Sequence, residues 1–124
     1  MPLRINIRAW LILWLQGRRR TRLKRSVYPL PSPPTLLVGA ANGEGGIGIS
    51  WEQSTTFALI TVYCIERKAA AAPDSAFGEI DEVDRSQDGY TDGDVEAGQS
   101  YTYRVRAYGP NGYSDYTNSV TVSV

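Results

Sequence analysis

Histidine is absent from this chain of 124 residues. That removes the commonest general base and metal ligand, so Ser-His-Asp triads, histidine-bound zinc and histidine pH switches are excluded. A single cysteine, Cys64, excludes an internal disulfide, and the fold must hold by packing. Long apolar runs are also missing. The longest, Ala9–Leu15, covers as a helix only ~10 Å of a ~30 Å hydrocarbon core. It does not read as a cleaved leader either, because Gly17 is followed by Arg18-Arg19-Arg20 and not by the small residues of a cleavage site.

Acidic residues are absent before Glu44, whereas Arg4, Arg8, Arg18, Arg19, Arg20, Arg22, Lys24 and Arg25 all precede it. The thirteen cations and thirteen acids of the whole chain cancel formally. Eight of those cations lie in the arm, which leaves Arg67, Lys68, Arg85, Arg104 and Arg106 against every acid. The arm is therefore +8 and the remainder −8. This division predicts a basic, apolar anchoring arm over 1–27, a Pro-rich linker over 28–34 acting as a semi-rigid spacer, and one domain over 35–124 that ends with the last strand. About 90 residues suffice for one core and leave no room for a second domain.

After the prolines, apolar residues recur with period two, as strands with one buried face require. Ile47, Ile49 and Trp51 alternate with Gly48 and Ser50; Tyr63 and Ile65 flank Cys64; Tyr101, Tyr103, Val105 and Ala107 alternate with Thr102, Arg104 and Arg106. Val120, Val122 and Val124 repeat the alternation. Residues 35–41 supply a first strand whose inward face is either Leu36/Val38 or Leu37/Gly39. Turn clusters at Asn42–Gly46, Asp88–Gly93 and Gly109–Gly112 punctuate the runs, the spacing of an all-β sandwich. The Ala69–Ala72 tract suits a helical turn or an open loop.

Over 33–124 the chain resembles the fibronectin type III family. The features that carry the likeness occur in order: prolines before the first strand, Ile47-x-Ile49-x-Trp51, Tyr63-x-Ile65-x-Arg67, and Val95-Glu96-Ala97-Gly98-Gln99-Ser100-Tyr101 leading into Tyr103-Arg104-Val105-Arg106-Ala107. Gly112-x-Ser114 then precedes the last strand. The resemblance implies a seven-stranded, immunoglobulin-like β-sandwich preceded by an extended arm. It implies Trp51 between the sheets and Tyr101 as the corner tyrosine, its ring buried and its hydroxyl bonded to backbone. The expected core is Ile47, Ile49, Trp51, Tyr63, Ile65, Val95, Tyr101, Tyr103 and Val105.

This fold serves chiefly as spacer, adhesive surface or binding scaffold, so function must come from sites. The family's Arg-Gly-Asp adhesive signal is absent from the Tyr108–Tyr116 loop. Tyr108, Asn111, Tyr113, Asp115 and Tyr116 have the composition of a recognition loop for protein or glycan; the alternative is that these tyrosines cap the sandwich. Acids crowd Asp81–Asp84 and Asp92–Glu96, but an EF-hand fails. With Asp92 first, Gly98 falls one place late and Tyr103 stands where the terminal glutamate belongs. These acids are expected to be solvated turn residues, Asp92 or Asp94 bonding its own turn backbone, with a looser calcium site as the alternative. Glycoside hydrolysis would need paired carboxylates in a cleft, which a small sandwich does not offer. No enzymatic activity, cofactor or metal is expected.

In the arm, Leu3, Ile5 and Ile7 alternate as an edge strand would, while Ile7, Trp10, Leu11 and Trp14 fit helical spacing. Either form has an apolar face that needs a protein partner or a second copy. Arg18, Arg19, Arg20, Arg22, Lys24 and Arg25 suit phosphates, anionic lipid or carboxylates. Nucleic-acid binding is allowed by charge but not favoured, since nothing present reads or stacks on bases. The chain thus reads as a structural subunit anchored by its arm in an assembly and displaying its sandwich, similar in build to a phage virion decoration protein. A surface recognition module and a nucleic-acid or membrane-surface binder are the alternatives. A virion or the cell exterior is the expected location.

Overall fold

The computed structural model describes residues 28–124; the arm positions from Leu3 to Arg25 lie outside them. Among the described residues eight strands form: β1 (Thr35–Ala41), β2 (Ile47–Glu52), β3 (Val62–Ala69), β4 (Gly78–Asp84), β5 (Gly89–Asp92), β6 (Ser100–Gly109), β7 (Gly112–Tyr116) and β8 (Val120–Ser123). One antiparallel sheet has the order β1-β2-β5; the other runs β4-β3-β6-β7, with β8 also on β6. β7 pairs with Arg106–Gly109 and β8 with Ser100–Tyr103, so the two follow each other along one edge of β6. The seven expected strands appear as eight because this last strand is interrupted. At the break Thr117 substitutes for the ladder: its N–H donates to the Val105 carbonyl (2.8 Å) and its hydroxyl accepts the Val105 N–H (3.0 Å).

The core lies between the sheets. Ile47, Ile49 and Trp51 of β2 meet Tyr63 and Ile65 of β3 and Tyr103, Val105 and Ala107 of β6, all buried. The Trp51 and Tyr63 rings pack edge to face, centroids 5.6 Å apart at 67°, the geometry that aromatic quadrupoles favour. Val95 and Tyr101 are partly buried against this cluster. The Tyr101 hydroxyl accepts the Glu96 N–H at 3.0 Å, tying the turn before β6 to its first ring. Gly109 closes the far end of β6 against the 3₁₀ turn Phe57–Leu59, where any Cβ would overlap the Leu59 carbonyl.

On β1 the inward residue is Leu37, 2% exposed, while Leu36 and Val38 face solvent. Leu36 takes a left-handed φ of 55°, and the pairing register shifts between Thr35 and Val38. A bulge of this kind costs local strain but turns Leu37 into the core. Asn118 holds it there: its amide oxygen accepts the Leu37 N–H (3.0 Å) and its amide nitrogen donates to the Leu37 carbonyl (2.9 Å).

Three expectations need correction. Asp88–Gly93 is not simply a turn, because Gly89–Asp92 pairs with Ile47–Ser50 as β5. Asp81–Asp84 likewise belongs to strand β4, paired with β3. In both, partner backbone overrides weak strand propensity. The proline segment does not stand off as a spacer: Pro31 and Pro34 are buried, the Ser32 N–H donates to Thr56 Oγ1 (2.8 Å) and Asn111 Nδ2 donates to the Pro29 carbonyl (3.0 Å). The alanine tract resolves into a turn whose carbonyls receive the Lys68 ammonium, 2.7 Å at Ala72 and 3.2 Å at Ala70, before a 3₁₀ turn over Asp74–Ala76.

Candidate functional site

The outer face of the larger sheet carries a continuous stack of aromatic rings and cations. Because β3 and β6 pair antiparallel, Glu66 lies opposite Arg104 and Cys64 opposite Arg106, all turned away from the core by the two-residue alternation. Arg106 sits 3.7 Å from the Tyr113 ring centroid and 4.7 Å from that of Tyr116. Arg104 follows, 3.6 Å from Tyr116 and 4.1 Å from Phe77, and Lys68 lies 5.5 Å beyond Phe77. Tyr108 extends the other end, 4.7 Å from Tyr113. At the centre Glu66, 6% exposed, accepts Arg104 Nε at 2.9 Å and Nη2 at 2.8 Å and the Tyr116 hydroxyl at 2.8 Å. Arg106 Nη2 is at 3.7 Å. Each cation–ring contact contributes about 0.5–1 kcal/mol, and the shared carboxylate couples them.

This stack divides the expected recognition loop. Tyr116 is half-buried with its hydroxyl held by Glu66, and burial followed by that carboxylate pushes its pKa up. Asn111 is engaged with the linker. Asp115 is exposed, as are one side of Tyr113 (42%) and of Tyr108 (40%). Leu30, also exposed, reaches the β6–β7 turn at Gly112. The structure therefore brings Tyr108 and Tyr113 to one exposed surface; the Leu30 contact at Gly112 was not foreseeable, because it depends on how the linker docks.

Beneath the stack lies Cys64, 1% exposed, with Glu79 and Glu82 of β4. One ligand atom from each lies within 4.8 Å of the others. Burial, then the charges of Glu79 and Glu82, push the thiol pKa up to about 12. Burial and neighbouring Glu82 also raise Glu79. The three could bind a cation only after the thiol lost its proton, which this environment opposes. Residue types alone did not single out the group; the Cys64–Glu82 pairing in the sheet creates it.

Asp92 is not a solvated turn residue. It is 2% exposed, and Oδ2 accepts the Tyr103 hydroxyl at 2.6 Å and Arg67 Nη1 at 2.8 Å. Oδ1 accepts the Asp94 N–H at 3.0 Å, the bond to its own turn expected from sequence. Burial would raise its pKa, but the bonds from Tyr103 and Arg67 outweigh burial and lower it. Asp92 is thereby spent on structure and not offered to calcium.

The described residues contain no helix long and apolar enough to cross a membrane. No protein-family model and no curated protein matches the chain. Solved structures do. An Fn3-like protein from Clostridium thermocellum is 18% identical with a TM-score of 0.63, the match covering 77% of this chain and 94% of that one. The chicken CNTN1 FN1–FN3 domains give 19% identity and a TM-score of 0.64 over 75% of this chain and 31% of theirs. The twitchin kinase region from C. elegans gives 21% and 0.65, over 77% of this chain and 17% of its own. The fold of residues 28–124 is that of a fibronectin type III domain.

Proposed function

We propose that this chain is a non-enzymatic structural subunit, anchored in a larger assembly by residues 1–27 and presenting its sandwich for interaction. The observation that carries this reading is the charge division, eight cations and no acid in the arm against an excess of acids in the domain. Among the described residues the two sheets enclose a core of their own. A protein that decorates a phage virion has this build. Deleting residues 2–25 should leave a folded, monomeric domain by circular dichroism and sedimentation, while the full chain self-associates or joins its particle. Full retention of assembly by the deleted form would overturn the reading.

A second reading is favoured by the exposed, mutually packed Tyr108 and Tyr113. Rigid aromatics of this kind give contact area at small entropic cost, and a protein or glycan could be recognised there. Tyr108→Ser tests it: binding to the cognate surface should be lost with little change in stability.

A further inference from the structure

We infer that the β4 edge of one copy is the docking site for residues 18–25 of a second copy. This deepens the assembly reading above and rests on it. Among the described residues β4 pairs only with β3, so within them its other side is an open strand edge. Glu79, Asp81, Glu82 and Asp84 stand on it, all exposed.

The domain's own cations do not answer these acids. Arg67 is paired with Asp92, and Arg104 and Arg106 with Glu66. Lys68 donates to the carbonyls of the alanine turn. Arg85 donates towards the Phe57 and Ile60 carbonyls and lies 4.4 Å from the Phe57 ring. All five cations of the described residues thus have other partners, and no ion pair among those residues reaches the β4 carboxylates.

The complementary segment is in the same sequence. Arg18, Arg20, Arg22 and Lys24 recur at every second position, so an added strand would present them on one face while its backbone bonds the open edge. Arg19 and Arg25 would serve the other face. The path of the chain favours a second copy over the same one. Pro29 is held at Asn111, between β6 and β7, and β4 is the opposite margin of that sheet, three strand spacings or ~14 Å away. Four residues from Arg25 to Pro29 span at most ~14 Å. Reaching β4 in the same chain would need a taut crossing and then a parallel pairing, since Asp84 is the end of β4 nearer Pro29. A strand from another copy can pair antiparallel, the more stable arrangement. Donor arm and acceptor edge are different surfaces, so the contact is head-to-tail and propagates into a ring or filament.

Complementation of full-length variants tests this. One variant carries Arg18→Gln, Arg19→Gln, Arg20→Gln, Arg22→Gln, Lys24→Gln and Arg25→Gln; the other carries Glu79→Gln, Asp81→Asn, Glu82→Gln and Asp84→Asn. In sedimentation at low salt the unaltered chain should self-associate and dissociate as salt is raised. Each variant alone should be monomeric, and an equimolar mixture should form a heterodimer from one intact arm and one intact edge. Carbodiimide coupling of an isotopically mixed, unaltered sample should join Lys24 of one copy to a β4 carboxylate of another, a readout that needs no variant to fold. Failure of the mixture to associate, or coupling only within single chains, overturns the inference. If the edge variant assembles normally while deletion of 2–25 abolishes assembly, the acceptor lies elsewhere and only the broader reading stands. If the deletion also assembles, both fall.

Discussion

The Tyr103 hydroxyl donates to Asp92 Oδ2 at 2.6 Å in the buried core, joining β6 of the larger sheet to β5 of the smaller. Arg67 of β3 reaches the same oxygen. In a sandwich with no internal disulfide this network is a polar tie between sheets, and removing one partner would leave the others desolvated and unpaired.

Asp92→Ala should therefore destabilise the protein by about 2–4 kcal/mol, Arg67 being partly exposed and so able to recover some hydration, and Tyr103→Phe by about 1–3 kcal/mol. The folded pKa of Asp92 is lowered, so its contribution is present above the unfolded carboxylate pKa and is lost as pH falls through the folded value. Urea titrations between about pH 6 and pH 2 should show acid loss of stability that is smaller in Asp92→Asn. Equal acid sensitivity in both proteins would rule out this role.

Trp51 and Tyr101 should differ in cost although both belong to the core pattern. Trp51→Ala leaves a cavity between the sheets and should cost about 3–5 kcal/mol. The Tyr101 hydroxyl bonds an N–H in an exposed setting, where water can replace it, so Tyr101→Phe should cost only about 0.5–1 kcal/mol. Denaturant midpoints at unchanged slope measure both.

The cation–ring stack makes the recognition loop partly structural. Tyr116→Phe removes the hydroxyl that Glu66 accepts and Glu66→Ala unpairs two guanidinium groups; each should destabilise by about 1–3 kcal/mol. Tyr108→Ser should stay within about 0.5 kcal/mol. Thermal scans that ranked Tyr108→Ser as the most damaging would contradict this division.

Cys64 should be chemically silent in the native protein. With its pKa at about 12 and burial nearly complete, a disulfide reagent at about pH 8 should label it only after denaturant is added. Rapid labelling of folded protein would show that its packing beside β4 does not exclude the reagent.

What the sequence by itself determined is the alternation. Ile47-x-Ile49-x-Trp51, Tyr63-x-Ile65 and Tyr101 through Ala107 reveal their buried faces because a strand's side chains change face at every residue, and turn residues mark where β2 and the β6–β7 hairpin begin. Charge segregation is equally legible, since it is a property of order along the chain. The tertiary structure decided what alternation cannot carry. Leu36/Val38 and Leu37/Gly39 alternate equally well; Leu37 enters the core because the bulge at Leu36 and the Asn118 clamp select it. Glu66 and Cys64 occupy outward positions yet are buried, because Tyr116 bonds back over Glu66 and β4 lies alongside Cys64. Asp92 resembles any turn acid until Tyr103 and Arg67, distant in sequence, close on it. In each case the deciding partner comes from another strand, and burial of a polar group depends on that partner.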